Sequence, residues 1–452
     1  MSEDVRGVGT MAYFPMYVSL ENKDCLVVGG GKVAKRKADT LQSFGGKVTV
    51  LAPVFKEDFS GCSLIKKFFQ KEDIGAYFVV VAATNNRQVN KEISKICKEQ
   101  GIAVNVADSS EDSSFLFGAI QQRGNMVVSV NSGENQPAWS KKVKEEIGNY
   151  LDEHILRIGT RKSPLALAQT KIVMDAIRRV NPKILCQVVE LSTKGDENRK
   201  KRLTEFGGKG AFTGELERAL IEDKIDIAVH SGKDLPVKLE EGLDILAVPK
   251  REEANDVLVT KFGYKLHKKS IIGTGSVRRS KQIPYQTKDI RGNVETRLRK
   301  MEEGEYDGVV LALAGLKRLS MENMEKYTYH VLGLKESYPA PCQGIIAIEG
   351  KKNSKFLPLL ETVNHKETWY SYQAERAVVT ELGLGCHFPI GVYSYMKDDI
   401  FYMEVKYLGE MERLWEVHCS IIDFKESLHN FLKRIEEEMK SYGLFSRGRS
   451  GK

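Results

Sequence analysis

The chain has no apolar run approaching the ~20 residues that a membrane-spanning helix needs, so no bilayer helix is expected and no membrane partner. Its seven cysteines (Cys25, Cys62, Cys97, Cys186, Cys342, Cys386 and Cys419) are odd in number and widely scattered. That pattern excludes a disulfide framework and is expected of free thiols in a reducing compartment; with no signal peptide in view, a cytoplasmic location follows. The eight histidines form no HExxH motif and no His/Cys cluster, so no metal is expected. A formal charge of +8 invites nucleic acid, but zinc spacing, an RNP-like aromatic motif and a polybasic tail are all missing. Nucleic acid is therefore not expected, and anionic small molecules suit the excess cations at least as well.

What is present is a chain of 452 residues, 41% hydrophobic and 29% charged, the balance of a globular protein and too long for one ordinary domain. Its opening third contains "KDCLVVGGGKVAKRKADTLQSFGGKVTVLAP", an apolar strand, a glycine turn, a helix and a second strand. Gly29, Gly31 and Ala34 make a G-x-G-x-x-A fingerprint: glycines let backbone approach a pyrophosphate at the helix N-terminus, and alanine permits close helix–strand packing. Leu51-Ala52-Pro53 stands where an acidic residue would hold the ribose, so cofactor choice is not readable there. Further strands in "AYFVVVAATNN" and "IAVNVADSS" run into polar turns. Ligands bind at the carboxyl ends of parallel strands, which places Thr84, Asn85 and Asp108 at the expected site.

The blocks "VVGGGKVAKRKADTL", "VVAATNNRQVNKEI", "VNVADSSEDSSFLFGAI" and "VVSVNSGENQPAWSKKVKEEI" resemble precorrin-2 dehydrogenase, the NAD-dependent domain of sirohaem synthases. The resemblance implies NAD on the glycine loop, Asp108 as acid/base, precorrin-2 as substrate and a homodimer through this domain. The chain departs from that family at Asn131 to Pro137, "NSGENQP", where a small-residue S-x-G-G-x-S-P pattern is usual.

From Leu156 the pattern changes to two similar openings. "LRIGTRKSPLALAQTKIVMDAI" is a strand, a turn and a helix, with Ser163 suited to the N-cap and Pro164 to the first helical position. "SIIGTGSVRRSKQI" repeats the plan. Arg161, Lys209, Lys233, Arg278, Arg279, Arg291 and Arg297 all stand at turns or helix starts, and guanidinium forks there suit several carboxylates. Among them Asp234 is a lone acid, able to stabilise a developing positive charge. In "LGLGCHFPIGVY", glycines, Pro389 and Gly391 hold Cys386 in a constrained loop.

"RIGTRKSPLALAQ", "GGKGAFTGELERAL", "DIAVHSGKDLP", "IGTGSVRRSKQI", "RGNVETRL", "YDGVVLALAGLKRL", "PAPCQGIIAIE" and "AERAVVTELGLGCHFPIG" together resemble porphobilinogen deaminase, also called hydroxymethylbilane synthase, over Leu156 to about Glu437. The resemblance implies a dipyrromethane cofactor joined to Cys386 by a thioether and Asp234 as the catalytic acid. It also implies that Arg161, Ser163, Lys209, Lys233, Arg278, Arg279, Arg291 and Arg297 bind the carboxylates of porphobilinogen and the growing chain. Gln169, Gln343 and Gly344 match positions near that cleft. Glu205, Gly232, Cys342 and His387 depart from it: lysine, a larger apolar residue, glycine and glutamine, respectively, are common there.

The expected class is α/β: a Rossmann-type dinucleotide-binding domain over 11–150, then two periplasmic-binding-protein-like lobes, 156–250 with 340–362 and 255–338. A small α+β domain over 366–445 would carry the cofactor. Two other readings stay open: a two-lobed anion-binding module without catalysis, and a deaminase whose N-terminal domain is a scaffold.

Overall fold

The computed structural model describes residues 14–123, 126–132, 137–192, 213–383 and 388–442. The chain divides into two compact units, one ending at Glu153 and the other beginning at His154.

In the first unit, β1 (Asp24–Val28) leads through a glycine turn into α1 (Lys32–Ser43) and β2 (Lys47–Leu51). Then come β3 (Ser63–Ile65), β4 (Val79–Ala82), α2 (Arg87–Glu99) and β5 (Ala103–Val106). The strands form one parallel sheet in the order β3-β2-β1-β4-β5. "CLVV" and "VVVA" are apolar at every position because both sheet faces are covered. Cys25, Val27, Val48 and Val50 pack with Ala34, Ala38 and Leu41 of α1. Leu26, Val28, Val80 and Val104 pack with Ile93 and Cys97 of α2. Each fully buried aliphatic side chain contributes roughly 1.5–3 kcal/mol, so these two layers hold the sheet without help from its polar turns. A hairpin, β6 (Ala119–Arg123) and β7 (Met126–Val130), precedes α3 (Pro137–His154).

The second unit opens at once with β8 (Ile155–Arg161), followed by α4 (Pro164–Val180), β9 (Leu185–Leu191), α5 (Gly214–Ile221), β10 (Ile227–Ser231) and β11 (Leu243–Ala247). The chain then builds a second sheet from β12 (Asp256–Lys261), β13 (Ile271–Gly273), β14 (Gln286–Lys288), β15 (Gly308–Ala312) and β16 (Tyr327–Val331). Its helices are the short α6 (Val277–Ser280), α7 (Val294–Glu302) and α8 (Leu313–Arg318). β17 (Ile346–Lys351) returns to the first sheet, and α9 (Leu357–Val363) packs on it.

The two sheets share one plan. The first is β11-β17-β10-β8-β9, with β17 antiparallel to both neighbours. The second, reversed, is β16-β12-β15-β13-β14, with β12 antiparallel to both of its neighbours. Two crossings, residues 248–255 and 332–345, therefore connect the lobes. The chain ends in α10 (Lys366–Glu381), the antiparallel sheet β18 (Ile390–Lys397), β19 (Ile400–Tyr407) and β20 (Arg413–Ser420), and α11 (Phe424–Ser441). Phe401, Val405 and Trp415 of this sheet close a core with Ala374, Val378, Phe431 and Ile435. Among the described residues, no helix is long and apolar enough to cross a membrane and no acid/His/Cys group could hold a metal.

Candidate active site

In the second unit the parallel strands β8 and β10 end side by side, and their carboxyl ends make a small pocket of about 70 Å³. Arg161, Ser163, Gln169, Thr213, His230, Ser231 and Asp234 line it. Ser163 caps α4, its Oγ accepting the Ala166 amide at 3.3 Å, and Pro164 fills the first helical position. Gln169 is buried and donates to Ser231 Oγ at 2.8 Å, which ties α4 to the end of β10. One turn of 3-10 helix, Gly232–Asp234, follows directly, and it leaves Asp234 exposed.

Lys233 sits in the same turn. Burial pushes its amine down to about 8, against the pull of Asp234, while Arg279 and Arg278 push the same way as burial. Arg297 is pushed down to about 10, chiefly by burial and then by Arg279 and Arg291, with Asp289 and Asp234 opposing. Its Nε donates to the Gly292 carbonyl at 2.8 Å, and Arg291 pairs with Asp289 at 3.0 Å. The cations from the two lobes thus act on one another and on Asp234.

Arg278 and Arg279 are nearly inaccessible and both engage Asp256, each at 2.7 Å. Gln343 donates to the same carboxylate at 2.9 Å and Ser337 at 3.1 Å. Burial alone would raise the Asp256 carboxyl, but Arg278 and Arg279 outweigh it and hold it well below the usual carboxylate range. One carboxylate balances one of two guanidiniums, so this group at the lobe crossing keeps a net positive charge.

A second buried acid fastens the last domain. Glu375 of α10 pairs with Arg251 at 2.6 Å and accepts the Cys342 amide at 2.6 Å and the Ser394 amide at 2.9 Å. Its neighbour Arg376 donates to the carbonyls of Leu235 and Pro236. The helix that precedes Cys386 is therefore anchored to the turn that carries Asp234. Cys386, Lys209, Glu205 and His387 themselves lie outside the described residues. Cys342 is 2% exposed, and burial pushes its thiol far up, which leaves it unreactive.

In the first unit, Gly29, Gly31, Thr84, Asn85 and Asp108 gather at the carboxyl edge of β1, β4 and β5. Gly29 has φ 140°, and a Cβ there would stand 2.3 Å from the Ala83 carbonyl oxygen and 3.4 Å from Ala34 Cβ. Only glycine fits this close approach. Gly31 caps α1 with no side-chain hydrogen bond and open space where a Cβ would point, a cradle that fits an anion. Thr84 Oγ1 donates to Asn90 Oδ1 at 2.6 Å, and Asn90 Nδ2 donates to Asp108 Oδ1 at 3.1 Å. Asn90 thus joins two expected site residues; Arg87 also reaches Asp108, at 3.4 Å. Asn85 is exposed on the same turn.

Sequence reasoning missed Asp256, Glu375, Arg376 and Asn90. Arg376 and Glu375 were visible within "AERAVVTEL", but only as charges on a helix.

Residues 156–357 match the family model "porphobilinogen deaminase, dipyromethane cofactor binding domain", and residues 16–119 match an NAD(P)-binding family model. The chain is 38% identical to the porphobilinogen deaminase of Acetivibrio thermocellus over 268 residues, 58% of this chain and 90% of that protein. It is 41% identical to the enzyme of that name from Alkaliphilus oremlandii over 250 residues, 54% of this chain and 83% of that one. A likeness to the solved structure of SirC, precorrin-2 dehydrogenase, covers 37% of this chain and 82% of that one at 24% identity, with a TM-score of 0.28, too low to carry weight. The chain belongs to the porphobilinogen deaminase family and carries an NAD(P)-binding domain ahead of the deaminase part.

Proposed function

We propose that residues 156–445 act as a hydroxymethylbilane synthase that joins four porphobilinogens, each with loss of ammonia, into a chain that one water releases as hydroxymethylbilane. The observation that carries this reading is the pocket where Arg161, Ser163 and Asp234 meet, with Lys233 beside it and Arg297 acting on Asp234 across the lobes. Loss of ammonia leaves an electrophilic azafulvene, and positive charge appears on pyrrole nitrogen. Asp234 holds that N–H and stabilises the charge. Arg161, Ser163, Lys209, Lys233, Arg291 and Arg297 bind the acetate and propionate arms, which fixes the reacting carbons, while Arg278 and Arg279, buried on Asp256, add positive charge behind them. A dipyrromethane in thioether linkage to Cys386 would supply the free pyrrole α-carbon to which the first unit adds. The net cationic crossing at Asp256 fits the carboxylate arms of that group.

For the first unit the reading is an NAD-dependent precorrin-2 dehydrogenase that forms sirohydrochlorin. Gly29, Gly31 and Ala34 leave the N-terminus of α1 open to a pyrophosphate, and Thr84 and Asn85 border the cofactor. Asp108, oriented by Asn90, moves the proton. NAD, when bound, accepts the hydride. A cytoplasmic location and a homodimer through this unit belong to the same reading.

The test is turnover of porphobilinogen by the full chain beside Asp234→Ala, and NADH formation from precorrin-2 beside Asp108→Ala. The reading expects hydroxymethylbilane and NADH from the wild type, each reduced about 100-fold or more by its own substitution. Reversible binding of porphobilinogen without product would instead favour an anion-binding module. Product without NADH would favour an N-terminal scaffold.

A further inference from the structure

Alternation along β8, β10 and β17 puts Arg161, His230 and Glu349 on one face of the first lobe's sheet, with Ala228 paired to both Gly159 and Glu349. α5 covers that face, and Leu216, Ala219 and Leu220 seal it with Ala228 and Leu243. Between them stand three titratable side chains: Glu217 at 4% exposure, His230 at 6% and Glu349 at 0%. His230 Nε2 lies 2.8 Å from Glu349 Oε2, off the direction of a hydrogen bond. Glu217 Oε1 and both Glu349 oxygens are buried without a hydrogen-bonding partner among the described residues.

Within this cluster a single histidine faces two carboxylates, so at most one of their two negative charges can be balanced there. Glu217 then adds an unbalanced buried charge unless it keeps its own proton. The groups around it agree. Burial raises its carboxyl to about 7, Glu349 and Glu240 push in the same direction, and His230 opposes. Tyr372, which feels Glu349 from α10, is a phenol held protonated by burial. Glu215 shares its helix, and Arg161 ends the neighbouring strand on the pocket side.

His230 lines the pocket with Asp234, and Ser231, Lys233 and Asp234 follow it in the chain. We propose that Glu217, with His230 and Glu349, is a positioning cluster whose proton holds the end of β10, and through it Lys233 and Asp234, in the arrangement that acts on substrate. Ionisation of Glu217 places a second negative charge beneath β10, draws water to the cluster and displaces the turn. The inference rests on the deaminase reading.

The experiment is the pH profile of hydroxymethylbilane formation, with kcat and KM separated, for the full chain, E217Q and E349Q. For the wild type kcat falls as pH rises through about 7, with KM shifted less than about twofold. E217Q, which cannot ionise, loses that break. E349Q, which removes a carboxylate that keeps the proton on Glu217, moves the break to lower pH and serves as an independent reading should E217Q misfold. A break that persists in E217Q, whatever the height of the curve, or stays in place in E349Q, overturns the proposal. A wild type that makes no hydroxymethylbilane overturns the deaminase reading and this inference with it.

Discussion

A Cβ on Gly232 would stand 3.1 Å from Cys342 Cβ and 3.3 Å from the Ile345 carbonyl oxygen, while Cys342 itself holds φ at 60°, a conformation that disfavours a side chain. Both residues depart from the family pattern, and their contact makes the two departures one change: volume is absent at 232 and present at 342. Gly232→Ala alone should destabilise the protein by about 1 kcal/mol through overpacking, and adding Cys342→Gly should recover most of it. Urea midpoints of the four proteins in a double-mutant cycle check this; purely additive losses would contradict the coupling. At this scale the candidate residues at strand ends and turns were readable as candidates. Arg161 ends a strand, Ser163 and Asp234 follow strands in polar turns, and their residue types announce themselves. Asp256, Glu217 and Glu349 did not, because a carboxylate reads as surface until its partner is known, and Arg278 lies 22 residues from Asp256.

The 3-10 turn after β10 is the element on which the proposed chemistry depends, since it carries Lys233 and Asp234 and is gripped from α10 by Arg376. Lys233 loses its charge in the folded protein as pH climbs through about 8, whereas the unfolded chain keeps the ordinary 10.5. Between those values the unfolded state binds more protons, so stability rises with pH across that window, and below it the charged amine weighs against the fold. If that charge binds substrate carboxylate, KM for porphobilinogen should rise above about pH 8. Lys233→Met should show a KM raised about tenfold at neutral pH with no such rise. A KM independent of pH in the wild type would contradict the role. The strands and helices around this turn were legible from apolar runs and from Ser163-Pro164 at a helix start. The four-residue α6 was not: "SVRRSKQI" reads as a longer helix until Arg278 and Arg279 are seen drawn inward by Asp256.

For the whole molecule, two units have separate cores, and the division between Glu153 and His154 falls at the last residue of α3, which β8 follows directly. The βαβ opening and the repeated strand-turn-helix plan were enough to give the α/β class. The return of β17 to the first sheet was expected from the resemblance, which put 340–362 with 156–250, and not from the pattern of residues. "IAIEGK" is short and uninformative, and only its antiparallel pairing with β10 and β11 brings Glu349 beneath the pocket. The sheets, the crossings and the anchored α10 all converge on the proposed site, to which the proposal adds Cys386. The intact mass of the purified full chain beside Cys386→Ser tests that convergence most directly. The account predicts an added mass equal to a dipyrromethane on the wild type and none on the variant. A folded wild type without the adduct, and without one after incubation with porphobilinogen or preformed hydroxymethylbilane, would contradict it.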